Sequence, residues 1–423
     1  MTAHARTGAG YAPRMDRAFV PFDDGLGDLG PLSDLRASFE QRTGGCTVLE
    51  RCRLAGTVAS VAVPSARAAL AAERCGVPSN AAVDGAVLVN GRLQAPFEGP
   101  LREALRSLAA GEAIVDAEGT VVAACLGAGA SRAFVEAVAA GTRPAAPGAS
   151  RTMDLPLWTR PWHVLDAARF DAALAGDASQ VSEGWDASVT GALPAHAHHV
   201  GPHALHLHAR AKVGVGVVFD CSAGPVLVDD GAEVRHHAVV NGPAFIGAKS
   251  VVSEGTLVKP RAAIGPQCRV AGEVGSVVFQ GCTNKAHDGH LGDALLGEWV
   301  NLGAGTVNSN LLNTYGEVVM RLRPDGPLER SGRQFMGCLV GDHAKLAIDT
   351  RIMTGASIGT GAMWAASTPV AGAVAAFAWV TDDGERRFIL RKFLDLARTV
   401  MARRGAAPGP AALAHLERLH GPD

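Results

Sequence analysis

From Val228 onward an aliphatic residue returns at every sixth position: Val228, Val234, Val240, Ile246, Val252, Val258, Ile264 and Val270. Four places after each comes a small or short residue, as at Ala232, Ala238, Ala244, Ser250, Thr256, Ala262 and Cys268. The same phase resumes at Leu296 and Leu302, and again at Val340, Leu346, Ile352 and Ile358. A period of six is neither the 3.6 of an amphipathic helix nor the alternation of a half-buried strand. It predicts a parallel β-solenoid: three short strands form a triangular coil of about eighteen residues, with aliphatic side chains stacked inside, small residues at the tight corners and glycines in the turns.

Two segments break this clock, 273 to 295 and 308 to 338. The interior of a solenoid has no room for extra chain, so both are expected to leave it as loops, and loops on a rigid scaffold commonly carry function. The stretch NKAHDGHLGDALLGEWVNLGAGTVNSN, 284 to 310, begins in the first of these and sets two histidines, a lysine and four asparagines among aliphatic residues. Such side chains are costly beside a close-packed core. They are therefore expected on an outer face or corner, covered by a neighbouring subunit or a ligand.

Before the solenoid the pattern changes. Residues 58 to 64 (VASVAVP) predict a buried strand, followed by a helix over 65 to 76 capped by Ser65 and stopped by Gly76. AVLVNGRL (86 to 93) predicts another strand, LREALRSLAAG and SRAFVEAVAAG two helices, and AIVDAEGTVVAACL a hairpin turning at Glu118 and Gly119. Strands and helices alternate, which predicts an α/β domain over 16 to 160. A connector over 161 to 195, the solenoid over 196 to 370 and a C-terminal tail over 371 to 423 follow. Within the tail, 385 to 405 predicts an amphipathic helix with Phe388, Leu390, Phe393, Leu394, Leu396 and Val400 on one face.

Composition narrows the class. The chain has 423 residues, 48% hydrophobic and 19% charged, which fits a compact protein with a sizeable core. A net charge of −2 gives no global reason to expect nucleic acid or an anionic membrane as partner, so a small molecule is the expected substrate. Eight scattered cysteines without C-x-x-C spacing suggest neither a disulfide framework nor a zinc knuckle and suit a reducing cytoplasm. The first fifteen residues lack the apolar run of a secretion signal and are expected to be a disordered leader, and no later apolar run has the length of a membrane span.

In FEQRTGGCTVLERC (39 to 52), Thr47 and Glu50 form a capping box, so a helix begins just after Gly44 and Gly45 with Arg42 beside its start. A glycine-preceded helix start with an arginine can hold a phosphate, which makes Arg42, Gly44 and Gly45 candidate nucleotide or phosphate contacts of the first domain; Arg51 and Asp84 are further candidate groups there. The histidine tract HAHHVGPHALHLHA carries His196, His198, His199, His203, His206 and His208 where the first coil should start; its rings are expected to point into solvent. His343, near Lys345, is a rival site on a later coil or a structural hydrogen bonder.

Together, FEQRTGGCTVLER, GEVGSVVFQGCTNKAHDGHLGDALLGEWVNLGAGTVNSNLLNTYG and SGRQFMGCLVGDHAKLAIDTRIMTGASIG resemble the sugar nucleotidyltransferases that are similar to bifunctional N-acetylglucosamine-1-phosphate uridyltransferase/glucosamine-1-phosphate acetyltransferase. The resemblance covers most of 16 to 400. It implies an α/β nucleotidyltransferase-like domain followed by a left-handed parallel β-helix of hexapeptide repeats and a C-terminal α-helix, with homotrimer assembly and acetyl-CoA-dependent acetylation between subunits. It places His287 as catalytic base, Lys259, Asn284, Lys285, His290, Asn301 and Asn310 as substrate contacts, and Gly303, Ala304 and Gly305 against the coenzyme. His290 stands where that family has a tyrosine. The G-x-G-T-R loop of sugar-phosphate uridyltransferases is absent, with RTGG in its place.

The chemistry implied is transfer of an acyl group, acetyl first, from acyl-CoA to a sugar phosphate or nucleotide sugar. An amine attacks a thioester only as the free base, and a neutral imidazole is the natural proton acceptor near neutral pH. No metal is needed for that step. The alternative is a sugar-1-phosphate nucleotidyltransferase, with Mg2+ in the N-terminal domain and the β-helix serving assembly.

Overall fold

A computed structural model describes residues 15–185 and 190–422. The expected leader lies outside the described residues except for Met15. Residues 18 to 152 build a six-stranded mixed sheet in the order Thr57–Val58, Ala18–Phe22, Val87–Asn90, Val121–Cys125, Glu112–Val115 and Ala149–Thr152. The hairpin over 112 to 125 is antiparallel, with Gly119 in the left-handed region at φ 75. The predicted strand at 58 to 64 is reduced to Thr57–Val58 and isolated bridges, and Ser65 bonds the Ala139 carbonyl in place of capping a helix.

The solenoid runs from His198 to Thr381 with parallel pairing from coil to coil. Val218–Asp220, Val226–Val228 and Glu233–Val234 are one coil's three strands, and each pairs with the strand eighteen to twenty-one residues on. The eight clock residues from Val228 to Val270 are all buried in one core cluster. Three places after Val234, Ile246, Val258 and Ile264 come His237, Lys249, Arg261 and Gln267, each at φ between 58 and 64. A non-glycine residue rarely takes this conformation; here the ladders on both sides fix it, and Ala238, Ser250, Ala262 and Cys268 fill the inner corners that follow.

The segment 273 to 295 does not leave the solenoid, contrary to expectation. Val252 pairs with Val270, eighteen residues apart, but Val270 pairs with Lys285, fifteen apart, and Asn284 with Asn301, seventeen apart. The coils are shortened, and Glu273–Gly281 and His290–Glu298 are nine-residue strands that pass through a corner at Ser276 and Asp293, both with positive φ. The clock fails because the chain cuts corners, not because it loops out.

The segment 308 to 338 does leave, as an antiparallel pair of Val319–Met320 with Glu329–Arg330. It wedges against the first domain. Val318, Met320 and Leu322 share a core with Leu29, Leu32 and Trp158, and Arg323 bonds Asp28 at 2.7 Å and the Gly30 carbonyl at 2.8 Å.

One face of the prism is covered. Its outward residues Leu227, Phe245, Ala263, Val278, Leu295 and Leu339 are buried against the helix Ala167–Ser182 and its surroundings. Arg36 reaches from the first domain to Asp342 at 2.9 Å and Glu298 at 3.2 Å, and Arg74 joins Glu40 at 2.6 Å to Glu298 at 3.3 Å. The C-terminal helix spans Leu390–Ala402, shorter than expected because Gly384–Arg387 pairs with Ala378–Thr381 as a hairpin. A second helix, Pro410–His420, follows; Glu73 caps it by accepting the Ala411 and Ala412 N–H groups at 2.9 Å. Among the described residues no helix is long and apolar enough to cross a membrane.

Candidate functional site

The polar residues of 284 to 310 gather along an edge of the prism. Lys285 and Leu302 lie inward, so His287 comes two places later at the turn into the next face, where the shared register of their strands sets it one coil before Ala304. His287 is exposed. Gly289, at φ 119, lets the corner turn: a Cβ there would stand 2.2 Å from the Thr306 carbonyl oxygen. Gly303 donates its N–H to Leu346, the Ala304 carbonyl accepts from Asp349 at 2.7 Å, and Gly305 takes φ 73. The Gly303 N–H is thus committed to the ladder.

On the adjoining face Glu273 is the hub. Lys259 forms an ion pair with its Oε1, and His290 Nδ1 lies 3.2 Å from the same atom. The hydrogen bond from Lys259 is the main reason the Glu273 carboxyl sits below the usual carboxylate range, with partial burial opposing. Asn310 donates to Asp293 at 2.8 Å, and a Cβ on Gly292 would touch both the His290 ring and the Asn310 amide. Arg333 stands 3.6 Å from Asp293, whose carboxyl is raised by burial. The structure therefore brings Lys259, His290 and Asn310 to one face. Sequence reasoning passed over Glu273, Asp293 and Arg333; the two acids stand in shortened coils where the six-residue phase no longer says which way a side chain points.

Asn284 and Asn301 belong to the face on the other side of the edge, in register with each other. There the end of the C-terminal helix reaches them: Arg404 donates to the Asn284 side chain at 2.7 Å and to the Gln267 carbonyl at 3.0 Å. Lys285, expected to contact substrate, points the other way. It is buried inside the solenoid, its Nζ donating to the Ala271 and His287 carbonyls at 3.0 Å each, and burial lowers its pKa to about 8.

The candidate phosphate contacts of the first domain are occupied by the protein itself. The Arg51 guanidinium is fully buried and grips Asp177 through Nε and Nη2 at 2.7 Å each. Asp177 also accepts the Cys46 N–H at 2.9 Å, just before the helix Val48–Ala55. A carboxylate from the connector thus lies where an anionic ligand was expected. Gly44 and Gly45 are close-packing positions: a Cβ would meet Asp177 at 2.6 Å in the first case and the Phe245 ring at 2.2 Å in the second. Arg42 is buried, bonding the Gly45 carbonyl and Glu50. Asp84 is exposed.

The His343 ring lies nearly parallel to that of Trp299, centroids 6.3 Å and planes 16° apart, and burial lowers the His343 pKa to about 3. With Glu40, Arg74, Gln280 and Met401 these two rings line a cavity of about 180 Å3 between the first domain, the solenoid and the C-terminal helices. In the histidine tract, His196, His198, His199 and His203 are exposed, while His206 is half-buried and His208 is buried beside Asp230 and Trp185. Among the described residues no group of three or more His, Cys, Asp or Glu side chains is placed to hold a metal ion. All eight cysteines are free, seven of them buried.

No protein-family model matches the chain. It is similar to a bifunctional sugar-1-phosphate nucleotidylyltransferase/acetyltransferase of Sulfurisphaera tokodaii, 28% identical over 139 residues, which are 32% of this chain and 34% of that protein. It is similar also to the bifunctional protein GlmU of Synechococcus elongatus, 34% identical over 111 residues, 24% of each chain, and to the GlmU of a Jannaschia species, 28% identical over 174 residues, 40% of this chain and 34% of that protein. The chain spans about a quarter to a third of the length of these curated relatives.

Proposed function

We propose that this protein is a transferase that moves an acyl group, acetyl first, from acyl-CoA to a sugar phosphate or nucleotide sugar. The observation that carries the reading is the edge at which an exposed imidazole, His287, stands one coil before Ala304 and beside a face bearing Lys259, Glu273 and His290. The names of the relatives support it, since each describes a bifunctional protein and one names both nucleotidylyl and acetyl transfer.

In this mechanism the substrate's amine nitrogen attacks the thioester carbonyl carbon. His287 accepts the amine proton as the tetrahedral adduct forms, and collapse of the adduct breaks the carbon–sulfur bond and releases CoA as the thiol, with the proton returned through the imidazole. Lys259 and His290, held by Glu273, would face the sugar's phosphate, and Asn310 its hydroxyls. The covered face of the prism leaves this edge free for a second and third copy, so we include a homotrimer, working in the cytoplasm, in the proposal.

Thiol release from acetyl-CoA in the presence of amino sugar phosphates tests this. His287→Ala should lower that rate by at least about a hundredfold, the usual scale for a general base; an unchanged rate removes the residue from the mechanism. Pyrophosphate release from UTP or dTTP with a sugar phosphate and Mg2+ tests the alternative activity of the first domain. The closed Arg51–Asp177 site gives that alternative no phosphate cradle at the expected place.

A further inference from the structure

Lys285 occupies a lane of the solenoid interior whose neighbouring coils contribute Val234, Val252, Val270, Leu302 and Leu346. An ammonium placed in such a lane is unfavourable unless its hydrogens find acceptors. Here they find two carbonyls, those of Ala271 and His287, each at 3.0 Å. Among the described residues no backbone N–H reaches either carbonyl. This is the place where the coil spacing falls to fifteen residues, between Val270 and Lys285, and widens again to seventeen. The irregular corner therefore has carbonyl groups without ladder partners, and buried carbonyls require one. Lys285 supplies it from inside.

We infer that Lys285 is a positioning residue for His287: its buried amine ties the His287 carbonyl to that of Ala271 on the coil before, and so fixes the corner from which the imidazole projects. This rests on the acyltransferase reading only for its functional consequence, since the anchoring itself is a matter of backbone order. A Met at this position would keep the length and apolar stem of the side chain and remove every donor. A Gln would keep an amide donor on a shorter stem.

The test uses the full chain and two measurements. In hydrogen exchange followed by mass spectrometry, Lys285→Met should raise exchange of the peptide covering 284 to 292 at least tenfold while peptides from the regular coils around Val234 to Val252 stay within twofold. In the acetyl-CoA thiol-release assay, kcat should fall at least tenfold with KM for acetyl-CoA changed less than about threefold, and Lys285→Gln should recover part of the loss. Exchange and kcat both within twofold of the parent would overturn the inference. If the parent releases no thiol, the transferase reading fails, and exchange at 284 to 292 alone still decides the anchoring. Should Lys285→Met not fold, exchange of Lys285→Gln at 284 to 292 takes its place: a tenfold rise supports the anchoring, and a value within twofold of the parent overturns it.

Discussion

Arg51 and Asp177, 126 positions apart, form a two-pronged ion pair with both side chains fully buried. Breaking such a pair leaves one charge buried and uncompensated, which typically costs about 3–5 kcal/mol. Asp177→Ala should therefore destabilise the protein by that amount in urea denaturation. Arg51→Met in the same background should recover a large part of the loss; additive losses in the double variant would show that the two do not act as a unit.

Gly45→Ala tests whether the glycine pair serves packing. The new methyl would meet the Phe245 ring at 2.2 Å, and overpacking costs about 1–3 kcal/mol. Lower stability with any nucleotide binding unaltered is expected. Lost binding at full stability would return the loop to ligand duty.

Arg36 holds Asp342 and Glu298 at the junction between domain and solenoid. Despite burial, which acts to raise it, Arg74 and Arg36 hold the Glu298 carboxyl below the usual range, so its stabilising contribution is present above about pH 4.5 and lost as the solution is acidified. Burial raises the Asp342 carboxyl, and Arg36 opposes this only in part. Arg36→Met should cost about 3–5 kcal/mol at neutral pH, read by denaturation; a cost under about 1 kcal/mol would mean that Arg74 alone suffices.

Burial lowers Lys285 to about 8, and an unfolded lysine titrates near 10.5. Between those values the unfolded chain holds the extra proton, so this side chain makes stability rise with pH. Buried thiols act oppositely: Cys268 and Cys338, raised to about 12, keep protons that the unfolded chain loses. The comparison must therefore be a difference. Wild type minus Lys285→Met, measured from pH 7.5 to 10.5, should show a stability gap that shifts in favour of wild type as pH rises; a flat difference would place the amine outside the buried lane.

Glu273 gathers Lys259 and His290. Under the proposed activity, Glu273→Gln should raise KM for the phosphorylated sugar at least about fivefold with kcat changed less, because positioning of Lys259 and His290 is lost while His287 is untouched. An unchanged KM would put the substrate elsewhere.

The solenoid was legible because aliphatic side chains fill its interior lanes at one spacing, so Val228 to Val270 announce the coil. The same rule hid the shortened coils: Lys285 stands in an aliphatic lane, and its polarity argued for a loop. Glycines before a helix looked alike whether they approach a phosphate or, as Gly45 does, an aromatic ring on a distant coil. The partner that occupies the helix start, Asp177, comes from another part of the chain, and no local pattern reveals it. His287 and Asn310 are candidates through their motif; the carboxylates Glu273 and Asp293, which meet His290 and Asn310, carry no spacing signal of their own.

Among the described residues, the strands His198–Val200 and Lys212–Val213 each pair with a strand on one side only, whereas the Leu207 carbonyl of Leu205–Leu207 also accepts the Gly191 N–H at 2.7 Å. This blunt end of the prism is where a foreign strand could prolong the ladder. His198, His199, His203, Arg210 and Lys212 are all exposed there. An incoming chain would have to strip water from these rings and cations before it reached the edge, a cost that opposes end-to-end growth of neighbouring prisms.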